Sequence, residues 1–229
     1  MMRFGYQVKR YPDTDLRRRM MMIAKMNTDL ILDVGANTGQ FGLEMRKLGY
    51  KGRLISFEPL SEAYHILEKN TAGDCNWQTY NYAIGSKNGS ADIYLSENSY
   101  SSSLLEILPE HLLAEPGSRV TGKEKIAVKR LDSFMNEITF QEKNIMLKID
   151  TQGYEKEVIA GAGEFIGKIK LIMTELTFTT LYLGQPLYNE MVDLLKINGF
   201  ELWSIENGFY NPVNGKLLQA DGIFVKLRD

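Results

Sequence analysis

The chain has 229 residues, 44% of them apolar, which allows one large domain or a domain carrying an inserted lobe. A formal net charge of -2 and a pI near 5.8 give no basis for a nucleic-acid partner. A single cysteine, Cys75, excludes an internal disulfide framework and fits a reducing compartment.

Residues 1–12 show no periodicity. Asp13 or Thr14 can cap a helix reaching about Asn27. The Met20–Ala24 run within it is bounded by Arg17-Arg18-Arg19 and Lys25, far short of the roughly 20 apolar residues of a spanning helix. A soluble, cytoplasmic protein without a signal peptide is expected.

Leu30–Val34 is long enough for one buried strand. It stops at Gly35-Ala36-Asn37-Thr38-Gly39, and a helix over Gln40–Leu48 follows, closed by Gly49. Strand, glycine turn and helix open an α/β nucleotide site: glycine lets the backbone approach a ligand, and the helix start offers free N–H groups. The turn departs from G-x-G-x-x-G, because Asn37 stands where the second glycine makes room for a pyrophosphate. Asp33, just before the turn, would repel a pyrophosphate and accept hydrogen bonds from an ammonium. The pattern points to an amino acid joined to a nucleoside, and so to S-adenosylmethionine (SAM), with S-adenosylhomocysteine (SAH) as its product. NAD fits less well.

Arg53–Phe57 is the second strand. Glu58 follows about 20 residues past Gly39, where an acid accepts both ribose hydroxyls. Ser61–Lys69 reads as a helix. Trp77–Ile84 is a third strand, with Asn81 and Ala83 placed beside an adenine. Ser86–Gly89 is a turn and Ala91–Leu95 a strand, together a hairpin. Residues 96–123 are a polar interruption of lid or binding-loop type, with a short helix over Leu104–Leu113 broken at Pro109. His111 within it reads as a surface residue. Lys125–Leu131 alternates as a half-exposed strand suited to pair with 91–95.

Asn144–Ile149 is the fourth core strand and ends at Asp150. Lys148 and Asp150, two apart, face the same side. Tyr154–Ile166 is a helix, Ile169–Thr174 a strand ending at Glu175, and Gln185–Asn198 a helix stopped by Gly199. Phe200–Ile205 and Gly222–Leu227 are the last strands, joined by a long hairpin over 206–221 that contains Asn207-Gly208. The alternation argues a doubly wound, mostly parallel sheet with one antiparallel strand. The boundaries are a helical segment over 1–28 and a domain over 29–229, with an insertion at about 86–138 bearing on the acceptor.

Asp33, Glu58, Asp150 and Glu175 each stand at or next to a strand's carboxyl end, where open α/β sheets bind ligands. A methyl donor is already activated, so the protein must align the acceptor and take its proton. Asp150 is the first candidate base, tuned by Lys148, with Glu175 and His111 as alternatives. Tyr100 and Tyr154 are candidates to shelter a sulfonium by cation–π contact. The sequence holds no two-histidine or paired-acid metal motif.

Together, DVGANTGQFG (33–42), ISFEPL (55–60), SYSSSL (99–104), VKRLD (128–132), LKIDTQGYEKEVIAGA (147–162) and QADGIFVK (219–226) resemble the FkbM-type methyltransferases. The resemblance spans nearly the whole chain from about residue 13. It implies a class I, Rossmann-like fold with a seven-stranded, mostly parallel sheet and a hairpin insertion. It also implies SAM-dependent methylation, usually of a hydroxyl on a sugar, glycan or polyketide-type product. By this resemblance Asp33, Gly35, Asn37, Gly39 and Glu58 look like SAM contacts, and Ser102, Ser103 and Asp150 look like the methyl-side pocket. Beside these, Ala36, Phe41, Pro59, Asn81 and Ala83 are further candidates for the cofactor, and His111 and Tyr154 for the acceptor. Two other functions stay open: RNA methylation, favoured by the arginine cluster, and a SAM-binding module without turnover.

Overall fold

The computed structural model describes residues 11–137, 141–206 and 208–227. Leu30–Val34 (β1) is buried at every position, as a strand covered on both faces must be. It lies inside a seven-stranded sheet ordered β3 (Trp77–Tyr80), β2 (Arg53–Phe57), β1, β7 (Ile145–Ile149), β8 (Ile169–Thr177), β10 (Gln219–Lys226), β9 (Phe200–Glu206). Neighbouring strands run parallel except β10, which is antiparallel to both β8 and β9. The order reverses between β1 and β7, and this reversal opens the crevice in which such sheets bind ligands.

Helices cover both faces. Met22 and Ile23 of α1 (Thr14–Lys25), Met45 of α2 (Gln40–Lys47) and Leu67 of α3 (Ser61–Thr71) pack on one face with Ile31, Leu54 and Met146. Phe134 of α5 (Leu131–Glu137), Val158 of α6 (Glu155–Ala162) and Leu195 of α7 (Tyr188–Ile197) pack on the other with Leu32, Leu147 and Ile172. α1 starts at Asp13, whose carboxylate accepts the Leu16 N–H at 2.9 Å. Among the described residues no helix is long and apolar enough to cross a membrane.

The predicted strand over 77–84 is two strands. After Tyr80 the chain leaves the main sheet, and Ala83–Ile84 (β4) joins a three-stranded sheet ordered β4, β6 (Val120–Lys129), β5 (Gly89–Ser96). The Asn81 side chain makes the corner by donating to the Glu58 and Pro59 carbonyls at 2.9 and 3.0 Å. β5 and β6 pair antiparallel, as the alternation suggests, over more residues than expected. Pro109 opens α4 (Pro109–Ala114) instead of breaking a helix, because the first helical position needs no N–H. β8 runs on through Glu175 to Thr177, so Glu175 lies within the strand. A helix over 131–137 was not expected. Cys75 is exposed. Of the expected closing hairpin, Asn207 lies outside the described residues, as do residues 1–10 of the expected N-terminal segment and residue 138 of the insertion.

Candidate active site

The crevice is a cleft of about 770 Å³ of atom-free space, counting its open mouth. Val34, Gly35 and Asn37 line it from the first crossover, Phe57, Glu58, Pro59 and Leu60 from the tip of β2, and Ala83 and Ile84 from β4. Ile93, Ser99, Tyr100, Ser102 and Leu104 close it from the insertion, and Asp150, Thr151, Gln152, Tyr154 and Glu175 complete it.

The glycine turn keeps its shape for a reason other than ligand approach. Gly35 has φ +76°, and a Cβ there would lie 1.8 Å from the Asp150 carbonyl oxygen. The glycine lets the β1 and β7 exits touch. Gly39 (φ +92°) packs on Leu67, where a Cβ would come within 2.8 Å. Asn37 takes a left-handed φ of +49°, and its side-chain oxygen accepts the Thr38 N–H at 2.9 Å.

Glu58 is buried at the tip of β2. One carboxyl oxygen accepts the Asn37 N–H at 2.7 Å and the other the Leu60 N–H at 2.9 Å. The first crossover and the second strand are thereby locked together through this side chain. Burial pushes its pKa up to about 7, against the pull of the two N–H donors. Beside it, Leu60, Ile84 and Ile93 form an apolar slot.

At the other end stand Asp150 and Glu175. Lys148 lies beneath them, its ammonium 3.1 Å from Asp33, 3.5 Å from Asp150 and 3.2 Å from the Gly35 carbonyl. Burial opposes the charge on Lys148, but Asp33 and Asp150 overcome it and hold the pKa above the ordinary lysine value. Glu175 is raised well above the carboxylate range by burial and by the negative charges of Asp150, Glu155 and Asp221. Gln152 and Gln219 donate to the same oxygen of Glu175, each at 3.2 Å.

Three of the four expected acids, Glu58, Asp150 and Glu175, therefore meet on one cleft. Asp33 does not face it. Its carboxyl is fully buried under the cleft floor, between Lys148 and the Ser56 hydroxyl, which donates at 3.4 Å. Burial is the largest influence on Asp33 and raises its pKa. Gly35, Asn37, Pro59, Ala83, Ser102 and Tyr154 line the cleft. Ala36 is buried, Gly39 faces Leu67, Phe41 packs beneath Lys148, and Asn81 forms the β3–β4 corner. Ser103 is a strut: its hydroxyl donates to the Gln152 carbonyl at 2.7 Å and accepts the Leu105 N–H at 3.0 Å.

His111 is neither a surface residue nor part of the cleft lining. It is buried edge-on against Tyr182, ring centroids 5.0 Å apart, with its Nε2 3.1 Å from the Ser118 hydroxyl. The apolar face of α4 turns it inward, and burial lowers its pKa to about 4. The folded protein thus binds fewer protons at this site than the unfolded chain between pH 4 and 6.5. Its stability contribution is lost as pH falls through that window. His111→Phe is expected to flatten the fall in melting temperature between pH 6.5 and 4 while leaving SAH affinity within about twofold. An unchanged pH profile would contradict the buried neutral ring.

Gln152, Ser99, Leu60 and Ile93 were not anticipated. Gln152 sits inside the KIDTQGYE stretch, so position offered a signal. Ser99 and Leu60 likewise lie inside the SYSSSL and ISFEPL stretches, whereas Ile93 is brought to the cleft by a strand of the insertion that no quoted stretch covers.

A sheet of this order with one antiparallel strand, a glycine turn after the first strand and an acid at the tip of the second define a class I methyltransferase. The model of the methyltransferase FkbM domain matches residues 33–202, and the chain belongs to that family of SAM-dependent methyltransferases. It is 27% identical over 201 residues to the 2-O-methyltransferase NoeI of Sinorhizobium fredii, covering 84% of this chain and 82% of NoeI. Methyltransferase sdnD of Sordaria araneosa is 26% identical over 156 residues, 58% of this chain and 60% of sdnD. In fold the chain is similar to the crystal structure of methyltransferase FkbM from Methylobacillus flagellatus, with a TM-score of 0.51 at 12% identity. That match covers 86% of this chain and 44% of the other.

Proposed function

We propose that the protein transfers a methyl group from SAM to a hydroxyl of a sugar or glycan-type acceptor. The observation that carries this reading is the division of one cleft. An apolar slot with a buried acid lies at one end, and an acid with a partly exposed carboxylate, Asp150, lies at the other. The residues fit the cofactor. Glu58 can accept from a ribose diol on lone pairs its backbone donors leave open, and Leu60, Ile84 and Ile93 suit a flat apolar base. SAM, when bound, supplies a methyl on a sulfonium whose sulfur leaves with the carbon–sulfur electron pair.

Asp150 takes the acceptor proton as the oxygen–carbon bond forms. Lys148 stabilises the carboxylate from below and keeps it turned toward the cleft. Glu175, Tyr154 and Ser102 form the acceptor wall. The similarity to a 2-O-methyltransferase supports an oxygen acceptor. Against RNA as acceptor, Arg18 donates to the Ser204 hydroxyl at 2.8 Å, and Arg19 is buried against Glu206. Two of the three clustered arginines thus serve the fold.

Product mass after incubation with SAM and a panel of methyl glycosides and lipid-linked sugars should rise by one methyl group. No transfer across the panel, with SAH binding intact, would overturn the acceptor class. Asp150→Asn is expected to lower kcat by about 10²–10⁴-fold, the usual range for general-base catalysis, with a far smaller loss of SAH affinity. Wild-type turnover in that variant would remove Asp150 from the base role.

A further inference from the structure

Gln152 occupies an unusual position. Its φ of +55° is one that side-chain-bearing residues seldom adopt, and it lies between the end of β7 and α6. Outliers of this kind persist where the surroundings over-determine them. Here the backbone carbonyl is held by the Ser103 hydroxyl at 2.7 Å. The side-chain amide nitrogen lies 2.9 Å from Asp150 Oδ1 and 3.2 Å from Glu175 Oε2. The amide oxygen lies 2.8 Å from the Tyr182 hydroxyl, which is itself buried. The orientation of the amide follows from chemistry. Flipped, its oxygen would face the carboxyl oxygens of Asp150 and Glu175, whereas the Tyr182 hydroxyl, with the Ser101 carbonyl also at 3.1 Å, can serve either orientation.

An amide nitrogen has two protons, and here each has one carboxyl to serve. We propose that Gln152 is a positioning residue that divides its amide between Asp150 and Glu175 and so holds the Asp150 carboxyl in the orientation in which it takes the acceptor's proton. The two ends of the amide differ in what else they meet. Asp150 opens on the cleft with the Lys148 ammonium at 3.5 Å, whereas Glu175 receives a second amide from Gln219 and faces Asp221 across the β8–β10 register. Glu175 is thereby a fixed anchor for the amide, and Asp150 is the group the amide aims. The proposal rests on the reading of Asp150 as the base.

Gln152→Asn is the informative variant. Asparagine tolerates the left-handed conformation, so the turn is kept, but the shorter side chain withdraws the amide from both carboxyls. The variants are assayed for turnover on whichever methyl glycoside responds, and for SAH affinity by calorimetry. In Gln152→Asn kcat is expected to fall by about tenfold with KM and SAH affinity nearly unchanged, since only the aim of the proton acceptor is lost. Tyr182→Phe, which keeps the amide but removes one of its partners, should lower kcat the same way by less. In the Asp150→Asn background Gln152→Asn should cost nothing further. A kcat at the parent level in Gln152→Asn, or a loss of SAH affinity in step with kcat, would overturn the role. The base reading fails separately, if Asp150→Asn keeps its turnover.

Discussion

Glu58→Gln is expected to weaken SAH binding by about 10–100-fold. Hydrogen bonds to a charged acceptor contribute roughly 1.5–3 kcal/mol, and about 1.4 kcal/mol is tenfold in affinity. The amide also presents an N–H to one of two backbone donors, Asn37 or Leu60, that now meet a carboxyl oxygen. The parent protein should show a pH signature that the variant lacks. Burial holds the Glu58 carboxyl up to about 7 in the free protein. Ribose hydroxyls donate to the ionised form, so SAH affinity should rise as pH climbs through 7 and level off above it. Stability should run the other way. Between pH 4.5 and about 7 the folded protein holds more protons on Glu58 than the unfolded chain does, so the free protein loses stability from this group as pH rises. Calorimetry across pH 5.5–8.5 with SAH, paired with thermal melts of the free protein, tests both signs. Affinity within twofold of the parent in Glu58→Gln would place the nucleoside elsewhere.

Glu58 also illustrates what a sequence can carry. Its role is legible because strand, turn, helix and strand follow one another without interruption, so the distance from Gly39 to the tip of β2 is set by local geometry. Asp150 is legible for the same reason, as the residue that follows an apolar run. Asp33 reads the same way, yet its environment depends on β7, more than a hundred residues later, which aligns Lys148 beside it. Periodicity indicates that both strands are buried but not that they are neighbours. Tyr80–Ala83 misleads for a related reason: aromatic residues on either side of Asn81 suit one continuous strand, and only the Asn81 side chain reaching back to Glu58 and Pro59 divides it. His111 lies on a short helix in a polar stretch, and its burial comes from Tyr182 and Phe209, residues supplied by two distant loops.

Lys148→Met should be among the most destabilising single substitutions in the site. The lysine fills its space with four methylenes and a charge, and methionine replaces the volume without the charge. Asp33, fully buried, then has no cation at all, and the Gly35 carbonyl loses its donor. Breaking one side of a buried ion pair costs about 3–5 kcal/mol, because the remaining charge is left uncompensated. For a domain of this size each kcal/mol is about 2–4 °C in melting temperature, so a fall on the order of 10 °C is expected. The deficit should shrink at low pH, where Asp33 protonates and the buried charge disappears. Asp33→Asn in the Lys148→Met background should restore much of the loss, since it removes the orphaned charge while keeping the shape of the side chain. The two substitutions should thus be strongly non-additive. Additive losses, or a single variant as stable as the parent at pH 8, would show that the pair does not support the cleft floor. The test also bears on turnover. A stability-restored double variant keeps Asp150 but lacks the ammonium beside it, so a residual fall in kcat in that protein measures what Lys148 gives to the reaction apart from what it gives to the fold.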